Sequence, residues 1–398
     1  MQKTDNPYFK LSERVYKVPP YPFAALDKAQ EKVKQDHPDW KIIKLGIGDP
    51  DKPTDPRIRQ ALIESVEKDF TTHRYPKYEG HPKFRQACAD WFYKRFKAKM
   101  DPNENIYVTN GSKEALMHMI WGVLDKGDTV LVPDPFYPVY KMGSIFCDAR
   151  IHFLPLKKKN SFLIDYKKIP EKVADKAKLI FVCYPNNPTS KQAGLDFFKE
   201  TVEFAKKHKI VVISDNAYSE IYYGTEKPPS IFEVDGAMDV AIELHSFSKS
   251  YNMTGWRLGF AVGNPELIDA LEIIKNNTDS GVFTAIQFAG IKALELADEI
   301  CPQVRDLYRS RRDRSVPKLK QAGFDVTPCE ATLYLWVQAP KGENGVSFSK
   351  KLLEEKGVIV GPGTSWGEEG EKFFRICLST PDNDLDEALD RIIELRKS

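Results

Sequence analysis

One lysine lies shortly after an apolar run that is predicted to form a buried strand, where a charged residue is unusual. Lys249, in the stretch SFSKSYNMTGWRLG, follows the run VAIEL, with Ser246 and Ser248 just before it and Arg257 eight positions after it. Nearby positive charge and partial burial lower the pKa of an amine and make it a nucleophile, and a guanidinium suits a phosphate. Lys249 is therefore a candidate to form a Schiff base with an aldehyde. A solvated loop with incidental basic residues is the alternative interpretation.

A second stretch, TNGSKEAL, places a glycine turn between a β-rich run and a helical pattern. Gly111, Ser112 and Lys113 would then begin a helix, where free N–H groups and the positive end of the helix dipole favour a phosphate. An ordinary capped turn explains the same residues, since short glycine motifs often occur by chance. The nucleotide-binding patterns GxxxxGK[ST] and GxGxxG do not occur in the chain.

Two further β-rich runs are followed by unusual polar residues. CYPNNPTSKQAG presents Asn187, whose amide can both donate and accept and so suits a phenolic oxygen or a carboxylate. SDNAYSEI presents Asp215, with Tyr218 three positions later, and an ionised carboxylate at the mouth of a buried strand needs a partner. A proline-rich turn and an ordinary helix cap are the alternatives for these two stretches.

A single ligand would explain all four stretches, whereas four unrelated loops would need four separate explanations. They offer a phosphate site, an amine for an aldehyde, an amide for a phenolic oxygen and a carboxylate for a ring nitrogen. Pyridoxal 5′-phosphate (PLP) carries all of these groups and is held in proteins by a lysine and an acidic partner to its ring nitrogen. The sequence therefore predicts PLP as cofactor, and predicts no metal.

The elements that must position these residues form a repeating strand and helix pattern. Amphipathic stretches separate several of the runs, a pattern typical of a largely parallel sheet buried on both faces. The short link between VAIEL and LGFAV predicts that the last strand runs antiparallel. In such α/β sheets ligands bind beyond the carboxyl ends of the strands. Seven short β-rich runs are IYV, TVLV, IHFL, LIFV, IVVIS, VAIEL and LGFAV.

The distribution of β-rich runs and helical patterns along the chain predicts two domains. Residues 46–294 contain the β-rich runs and form a large α/β domain, while residues 1–45 and 295–398 form a smaller α+β domain. The first 45 residues show no obvious strand, and residues 305–315, RDLYRSRRDRS, are predicted to form an exposed helix with local ion pairs.

The amino-acid composition limits the kinds of molecule that the protein is expected to bind. The 398 residues carry a net charge of only +2, which gives no strong field toward nucleic acid or an anionic membrane. The six cysteines lie far apart without metal-ligand spacing, and no apolar run approaches the length of a membrane span. We expect a soluble, cytoplasmic protein that acts on small molecules.

The ordered motifs SFSKSYNMTGWRLG, PNNPTS, SDNAY and FFRIC resemble those of the class I/II aminotransferases, the fold-type I PLP enzymes, over nearly the whole chain. The resemblance implies that Lys249 binds PLP and shuttles a proton, and that Asp215 pairs with the ring nitrogen. Tyr218 and Asn187 would contact the phenolic oxygen, and Tyr137 would stack on the ring. The phosphate would be held by Gly111, Ser112, Lys113, Ser246, Ser248 and Arg257.

The resemblance also implies a substrate site and a partner. Arg375, in an otherwise apolar segment, would bind the α-carboxylate of an amino acid beside Asn187 and the Gly48 backbone; a structural ion pair is the alternative. Tyr75 matches the tyrosine that reaches the cofactor phosphate of the partner subunit, which implies a homodimer with shared active sites. Ser190 stands where the family usually has glycine, so the turn there is expected to differ.

Some stretches resemble the subgroup of the family that acts on LL-diaminopimelate, with glutamate and 2-oxoglutarate as the other pair. They are PPYPFAALD, LGIGDPDKPTDP, NNTDSGVFTAIQFAGI and GPGTSWGEEGEKFFRI. The glycine-rich YGxEQG segment of some subgroup members is replaced here by YPKYEG. Aspartate, alanine or aromatic amino acids therefore remain alternative substrates, and a PLP-dependent C–S lyase or a non-catalytic binding module remains an alternative function.

Overall fold

A seven-stranded sheet lies at the centre of the computed structural model, which describes residues 8–18 and 24–397. The strands are β1 (Ile43–Lys44), β2 (Ile106–Thr109), β3 (Thr129–Asp134), β4 (Arg150–Pro155), β5 (Ala177–Val182), β6 (Val211–Asp215), β7 (Ala241–Ser246), β8 (Gly259–Gly263), β9 (Tyr334–Gln338), β10 (Val358–Ile359), β11 (Gly361–Pro362) and β12 (Phe373–Cys377). The α-helices are α1 (Glu13–Lys17), α2 (Ala24–Asp36), α3 (Pro56–Lys68), α4 (Pro82–Phe96), α5 (Ser112–Val123), α6 (Pro138–Phe146), α7 (Glu171–Ala174), α8 (Leu195–His208), α9 (Phe247–Ser250), α10 (Pro265–Asn276), α11 (Thr284–Glu295), α12 (Ala297–Gln321), α13 (Gly345–Lys356) and α14 (Asp382–Lys397).

The central sheet has the order β2-β8-β7-β6-β5-β3-β4, and β8 runs antiparallel to both of its neighbours. The remaining adjacent pairs are parallel. Residues 247–258 hold only the four-residue α9 and a 3-10 turn, which is too short for a crossover, so β8 returns beside β7 in the opposite direction. This confirms the predicted α/β fold and the predicted antiparallel strand.

Helices cover the sheet because their apolar residues fall on one side. In α5, for example, Ala115, Leu116, Met119 and Ile120 recur at helical spacing and are completely buried. They belong to the same apolar cluster as Leu244 of β7. Because the strands β3 to β7 are parallel, their carboxyl ends, and the polar residues that follow them, all lie at one edge of the sheet.

Two smaller sheets join distant parts of the chain. The order β11-β12-β9 forms an antiparallel sheet, and β1 pairs in parallel with β10, so that Ile43 lies beside Val358. The expectation of no strand in the first 45 residues was therefore wrong, because a two-residue strand is too short to show a pattern. The pairing supports our proposal that residues 1–45 and 295–398 form one domain and residues 46–294 the other.

The basic stretch at residues 305–315 is only partly the exposed face that we expected. Within α12, Arg309 does pair with Asp306 at 2.6 Å on the surface. Arg311, however, is completely buried and donates to both carboxylate oxygens of Asp51, at 2.7 and 2.8 Å, and to Asp382 at the start of α14. A bidentate buried pair of this kind is a structural clamp between chain segments. Among the described residues, no helix is long and apolar enough to cross a membrane.

Candidate active site

A cavity of about 460 Å³ opens at the carboxyl edge of the central sheet, where β6 and β7 end. It brings together the predicted residues Gly48, Ser112, Lys113, Tyr137, Asn187, Asp215, Tyr218, Ser246, Ser248, Lys249, Arg257 and Arg375. Gly111 adjoins the cavity without lining it, and Tyr75 lies outside it, almost fully exposed at 97%. The sequence interpretation missed Ile47, Pro138, Ala217, Tyr334 and Trp366, which also line it.

Lys249 lies on the short helix α9, directly after β7. The Ser246 hydroxyl accepts the backbone N–H of Ser248 at 3.2 Å and so caps this turn. The Nζ atom of Lys249 donates to the Gly48 carbonyl at 2.5 Å. Burial, assisted by the charge of Arg375, lowers the pKa of Lys249 to about 8. A larger fraction of the amine is therefore neutral and nucleophilic near neutral pH than for an exposed lysine.

Asp215 ends β6 and is buried. Its Oδ2 accepts the hydroxyl of Tyr140 at 2.8 Å, and the Tyr140 ring stacks on Phe181 with centroids 4.4 Å apart. Its Oδ1 is buried and has no hydrogen-bond partner within the part of the chain that the structure describes. Burial raises the pKa of Asp215 to about 6, against the lowering effect of the Tyr140 hydroxyl. A buried carboxylate oxygen without a partner can accept a hydrogen bond from a ligand bound in the cavity.

The stretches that were predicted to bind a phosphate lie close together in the structure. Gly111 has φ +81°, and a Cβ on it would lie 2.6 Å from Nη2 of Arg257, so glycine permits both the turn and the approach of the guanidinium. Arg257 is held by donating to the carbonyls of Thr254, at 2.9 Å, and Asn110, at 3.2 Å. Ser112 begins the twelve-residue helix α5, whose N-terminal N–H groups and positive dipole face this end of the cavity.

Arg375 projects from β12 into the opposite end of the cavity. Its Nη1 donates to Asn187 Oδ1 at 2.7 Å and its Nη2 to the Gly46 carbonyl at 2.8 Å. Its guanidinium lies over the rings of Tyr334 and Trp366, at 3.9 and 4.1 Å. Both of these partners are uncharged, and within the described residues its buried Nε has no hydrogen-bond partner. A buried cation without an anion favours a carboxylate ligand over the structural ion pair.

Tyr334 is the most informative of the missed residues. Its hydroxyl lies 2.9 Å from that of Tyr218, and a Cβ on Gly48 would lie 2.2 Å from it. The alternating segment TLYLWV marks Tyr334 only as a half-buried strand residue. Its place in the site depends on the pairing of β9 with β12, where Tyr334 is opposite Cys377. No local sequence pattern could have indicated this contact.

Ser190 shows how the unusual turn is accommodated. Its φ is +62°, the conformation that glycine adopts without cost. The Ser190 hydroxyl contacts the hydroxyl of Thr332 at 2.8 Å and donates to the Tyr334 carbonyl at 2.6 Å. These two contacts link the turn to β9 and to the residues just before it.

Comparison with known proteins decides the family. Residues 41–392 match the family "Aminotransferase class I and II". The chain belongs to this family. It is therefore a PLP-dependent aminotransferase, as the motifs predicted. It is 47% identical to LL-diaminopimelate aminotransferase of Aquifex aeolicus, over 98% of this chain and 100% of that one.

Solved structures of other family members share the fold. A substrate-bound structure of BacF from Bacillus subtilis has a TM-score of 0.92 and 33% identity, covering 98% of each chain. A mutant of Thermus thermophilus aspartate aminotransferase has a TM-score of 0.91 and 25% identity, covering 97% of this chain and 100% of that one.

The cavity of this aminotransferase fits PLP on its own geometry. The free Oδ1 of Asp215 suits the ring N–H, and the buried amine of Lys249 suits the aldehyde. The helix start at Ser112, the hydroxyls of Ser246 and Ser248, and Arg257 together suit a phosphate dianion.

Proposed function

We propose that this aminotransferase transfers an amino group between LL-diaminopimelate and the 2-oxoglutarate/glutamate pair, a reaction of lysine biosynthesis. The observation that carries the proposal is the near full-length likeness to relatives of that name. Besides the Aquifex protein, the relative from Dehalococcoides mccartyi strain 195 is 45% identical over 97% of this chain and 99% of its own. The aspartate aminotransferase structure is covered as fully but at only 25% identity, so the higher identity to these relatives is what supports the substrate.

We infer that the cofactor is held at its ring nitrogen, its phenolic oxygen, its ring face and its phosphate. When bound, PLP supplies an aldehyde and a ring that withdraws electrons from the substrate. Asp215 would keep a proton on the ring nitrogen through its free Oδ1, while Tyr140 restrains Oδ2. Tyr218 and the amide nitrogen of Asn187 would donate to the phenolic oxygen, and Tyr137 would stack on the ring. The phosphate would lie among Gly111, Ser112, Lys113, Ser246, Ser248 and Arg257.

Lys249 would move the reacting proton. Its depressed pKa allows it to act as a base toward the substrate Cα and then, as an acid, to return the proton at the C4′ atom of the cofactor. The Gly48 carbonyl holds the amine at the wall of the cavity, on the side of the carboxylate site. This contact would keep the amine close to the reacting atoms after the substrate has displaced it.

The substrate carboxylate would bind Arg375. Asn187 and the Gly46 carbonyl already hold two of its nitrogens, and the aromatic faces of Tyr334 and Trp366 restrict its orientation. The guanidinium is therefore preorganised, so that little conformational entropy is lost when a carboxylate binds. The Gly48 backbone would complete this end of the site.

The substrate is tested with a donor screen on the purified holoenzyme. LL-Diaminopimelate, aspartate, alanine and aromatic amino acids are offered with 2-oxoglutarate, and glutamate formation is measured. We expect the highest kcat/KM with LL-diaminopimelate. Indifference to it, together with turnover of another donor, would exclude the proposed substrate and leave the aminotransferase assignment intact. A thioether amino acid, cystathionine, is offered as well, and release of a thiol and ammonia from it, without glutamate, would instead identify a lyase.

We also propose a homodimer with shared active sites. Tyr75 is almost fully exposed and has exposed apolar neighbours in Phe70 and Tyr78, as expected of a surface that another subunit covers. The test mixes two inactive variants, Lys249→Ala and Tyr75→Ala. If Tyr75 serves the partner subunit's site, hybrid dimers contain one intact site and regain up to half of the activity per dimer. A monomer in solution, or no recovery, would exclude the shared site.

Because all six cysteines are free, we further propose a cytoplasmic location.

A further inference from the structure

A completely buried lysine lies behind the cofactor cavity and has no role in the chemistry described above. Lys275, near the end of α10, places its Nζ 2.9 Å from Glu114 Oε1 and 3.0 Å from Asp279 Oδ1. The Lys275 side chain is 0% exposed. The Glu114 and Asp279 side chains keep 15% and 33% exposure, whereas the ammonium has none. Burying an ammonium costs free energy unless its partners satisfy it, so such a cluster calls for a reason.

The two carboxylates use their other oxygens to hold one residue, Asn110. Glu114 Oε2 accepts the backbone N–H of Asn110 at 3.0 Å, and Asp279 Oδ2 accepts its side-chain amide at 2.8 Å. The Asn110 carbonyl in turn accepts from Arg257 at 3.2 Å. Asn110 is the residue immediately before Gly111, so the network fixes the turn that begins α5.

We propose that Lys275 is a positioning residue for the phosphate site of the cofactor. Glu114 and Asp279 hold the turn and, through Asn110, the guanidinium of Arg257. Their negative charges would by themselves oppose a phosphate dianion only a few residues away. Lys275 offsets one of these two negative charges from the buried side, where its amine cannot compete with the amides and hydroxyls for the phosphate. The proposal rests on the phosphate site inferred above.

A metal site is the other function that these side chains could suggest, since Glu114, His118 and Asp279 have ligand atoms within 4.8 Å of one another. The Lys275 ammonium, however, already lies within 3.0 Å of both carboxylates. The Nε2 atom of His118 lies 3.0 Å from the Thr278 hydroxyl, whereas its Nδ1 lies 2.7 Å from Glu114 Oε1 without the geometry of a hydrogen bond. The cation that this cluster requires is therefore the lysine itself.

The test compares two ligands that differ only in the phosphate. Dissociation constants of PLP and of pyridoxal are measured by equilibrium dialysis, starting from the holoenzyme of the full chain. In Lys275→Met we expect PLP to bind about tenfold or more weakly, the scale expected when one charge changes near a partly buried anion site. Pyridoxal should change less than about twofold, because it lacks the group that feels the charge. Equal weakening of both ligands would indicate a purely structural role and overturn the proposal.

Two further variants separate charge from folding. Glu114→Gln can still accept the Asn110 N–H but removes one negative charge, so PLP should bind more tightly while pyridoxal is unchanged. Combined with Lys275→Met, it should restore PLP binding. If Lys275→Met does not fold, Glu114→Gln alone decides, and weaker or unchanged PLP binding would refute the proposal.

Controls distinguish failure of this proposal from failure of the phosphate site. Lys178 also lies near two aspartates, Asp125 at 3.3 Å and Asp128 at 3.0 Å, but on the surface. Lys178→Met should leave both dissociation constants unchanged. If the unmodified enzyme binds pyridoxal as tightly as PLP, the phosphate site is itself misplaced. If it prefers PLP and Lys275→Met keeps the full preference, the role of Lys275 is refuted.

Discussion

The substitution Arg375→Lys isolates the geometry of the carboxylate site, because it keeps the positive charge. The guanidinium has two nitrogens bound to Asn187 and the Gly46 carbonyl, and it lies over two aromatic rings. A lysine ammonium in the same space cannot keep both of these hydrogen bonds and still present two parallel donors to a carboxylate. The expected loss is therefore one charge-assisted hydrogen bond to the substrate and part of the aromatic contact.

The magnitude follows from these contacts. One hydrogen bond to a charged group contributes about 1.5–3 kcal/mol, and a cation–π contact about 0.5–1 kcal/mol or more when it is desolvated. Their sum, about 2–4 kcal/mol, corresponds to a decrease in kcat/KM of roughly 30- to 1,000-fold, at about 1.4 kcal/mol per factor of ten. The loss should fall mainly on KM if the carboxylate contact is the same in the ground state and the transition state.

The assay is the half-reaction of the holoenzyme with L-glutamate, followed through the absorbance of the bound cofactor. A primary amine without an α-carboxylate serves as control substrate, and its slow reaction should not change. The PLP dissociation constant should also stay within about twofold, since the reasoning assigns Arg375 no cofactor contact. Wild-type kcat/KM with glutamate in Arg375→Lys would refute the carboxylate role, and a loss shared equally by both substrates would indicate general damage to the site.

Three other predictions concern the amine, the ring partner and the turn. Because the pKa of Lys249 is lowered to about 8, covalent attachment of PLP to cofactor-free enzyme should slow as the pH falls below 8; a rate independent of pH from 6 to 9 would contradict this. Because the pKa of Asp215 is raised to about 6, its carboxylate is ionised above that pH and PLP affinity should rise as the pH passes upward through 6, more than in Asp215→Asn; identical profiles in equilibrium dialysis would exclude the ring-nitrogen role. Ser190→Gly relieves a φ of +62° but loses the bonds to Thr332 and Tyr334, so the opposing effects of about 1 kcal/mol each should leave the melting temperature within a few degrees; a tenfold loss of kcat would show that the hydroxyl matters for turnover.

The residues of the proposed cofactor site could be grouped from the sequence because they follow strands. Asp215 ends β6 and Lys249 lies three residues after the end of β7, and parallel strands bring their carboxyl ends to one edge. Residue type and chain position were therefore enough to predict that the two meet. Tyr140 was missed although it lies in the DPFYPVY segment, since an aromatic residue on an amphipathic helix is usually a core residue.

The amino-acid sequence by itself was enough to predict the family and the cofactor, because four ordered motifs carry the resemblance and the residue types at the strand ends match the groups of PLP. The positions of those residues followed from the local alternation of strand, turn and helix. Only the tertiary structure decided that the ring of Tyr334 lies against Arg375 and that Arg311 is buried against Asp51. It also decided that Lys275 pairs with Glu114 behind the turn at Gly111. Each of these contacts joins segments far apart in the chain. Their positions depend on sheet register and helix packing, which are set by the burial of many side chains at once and leave no mark on the neighbouring residues.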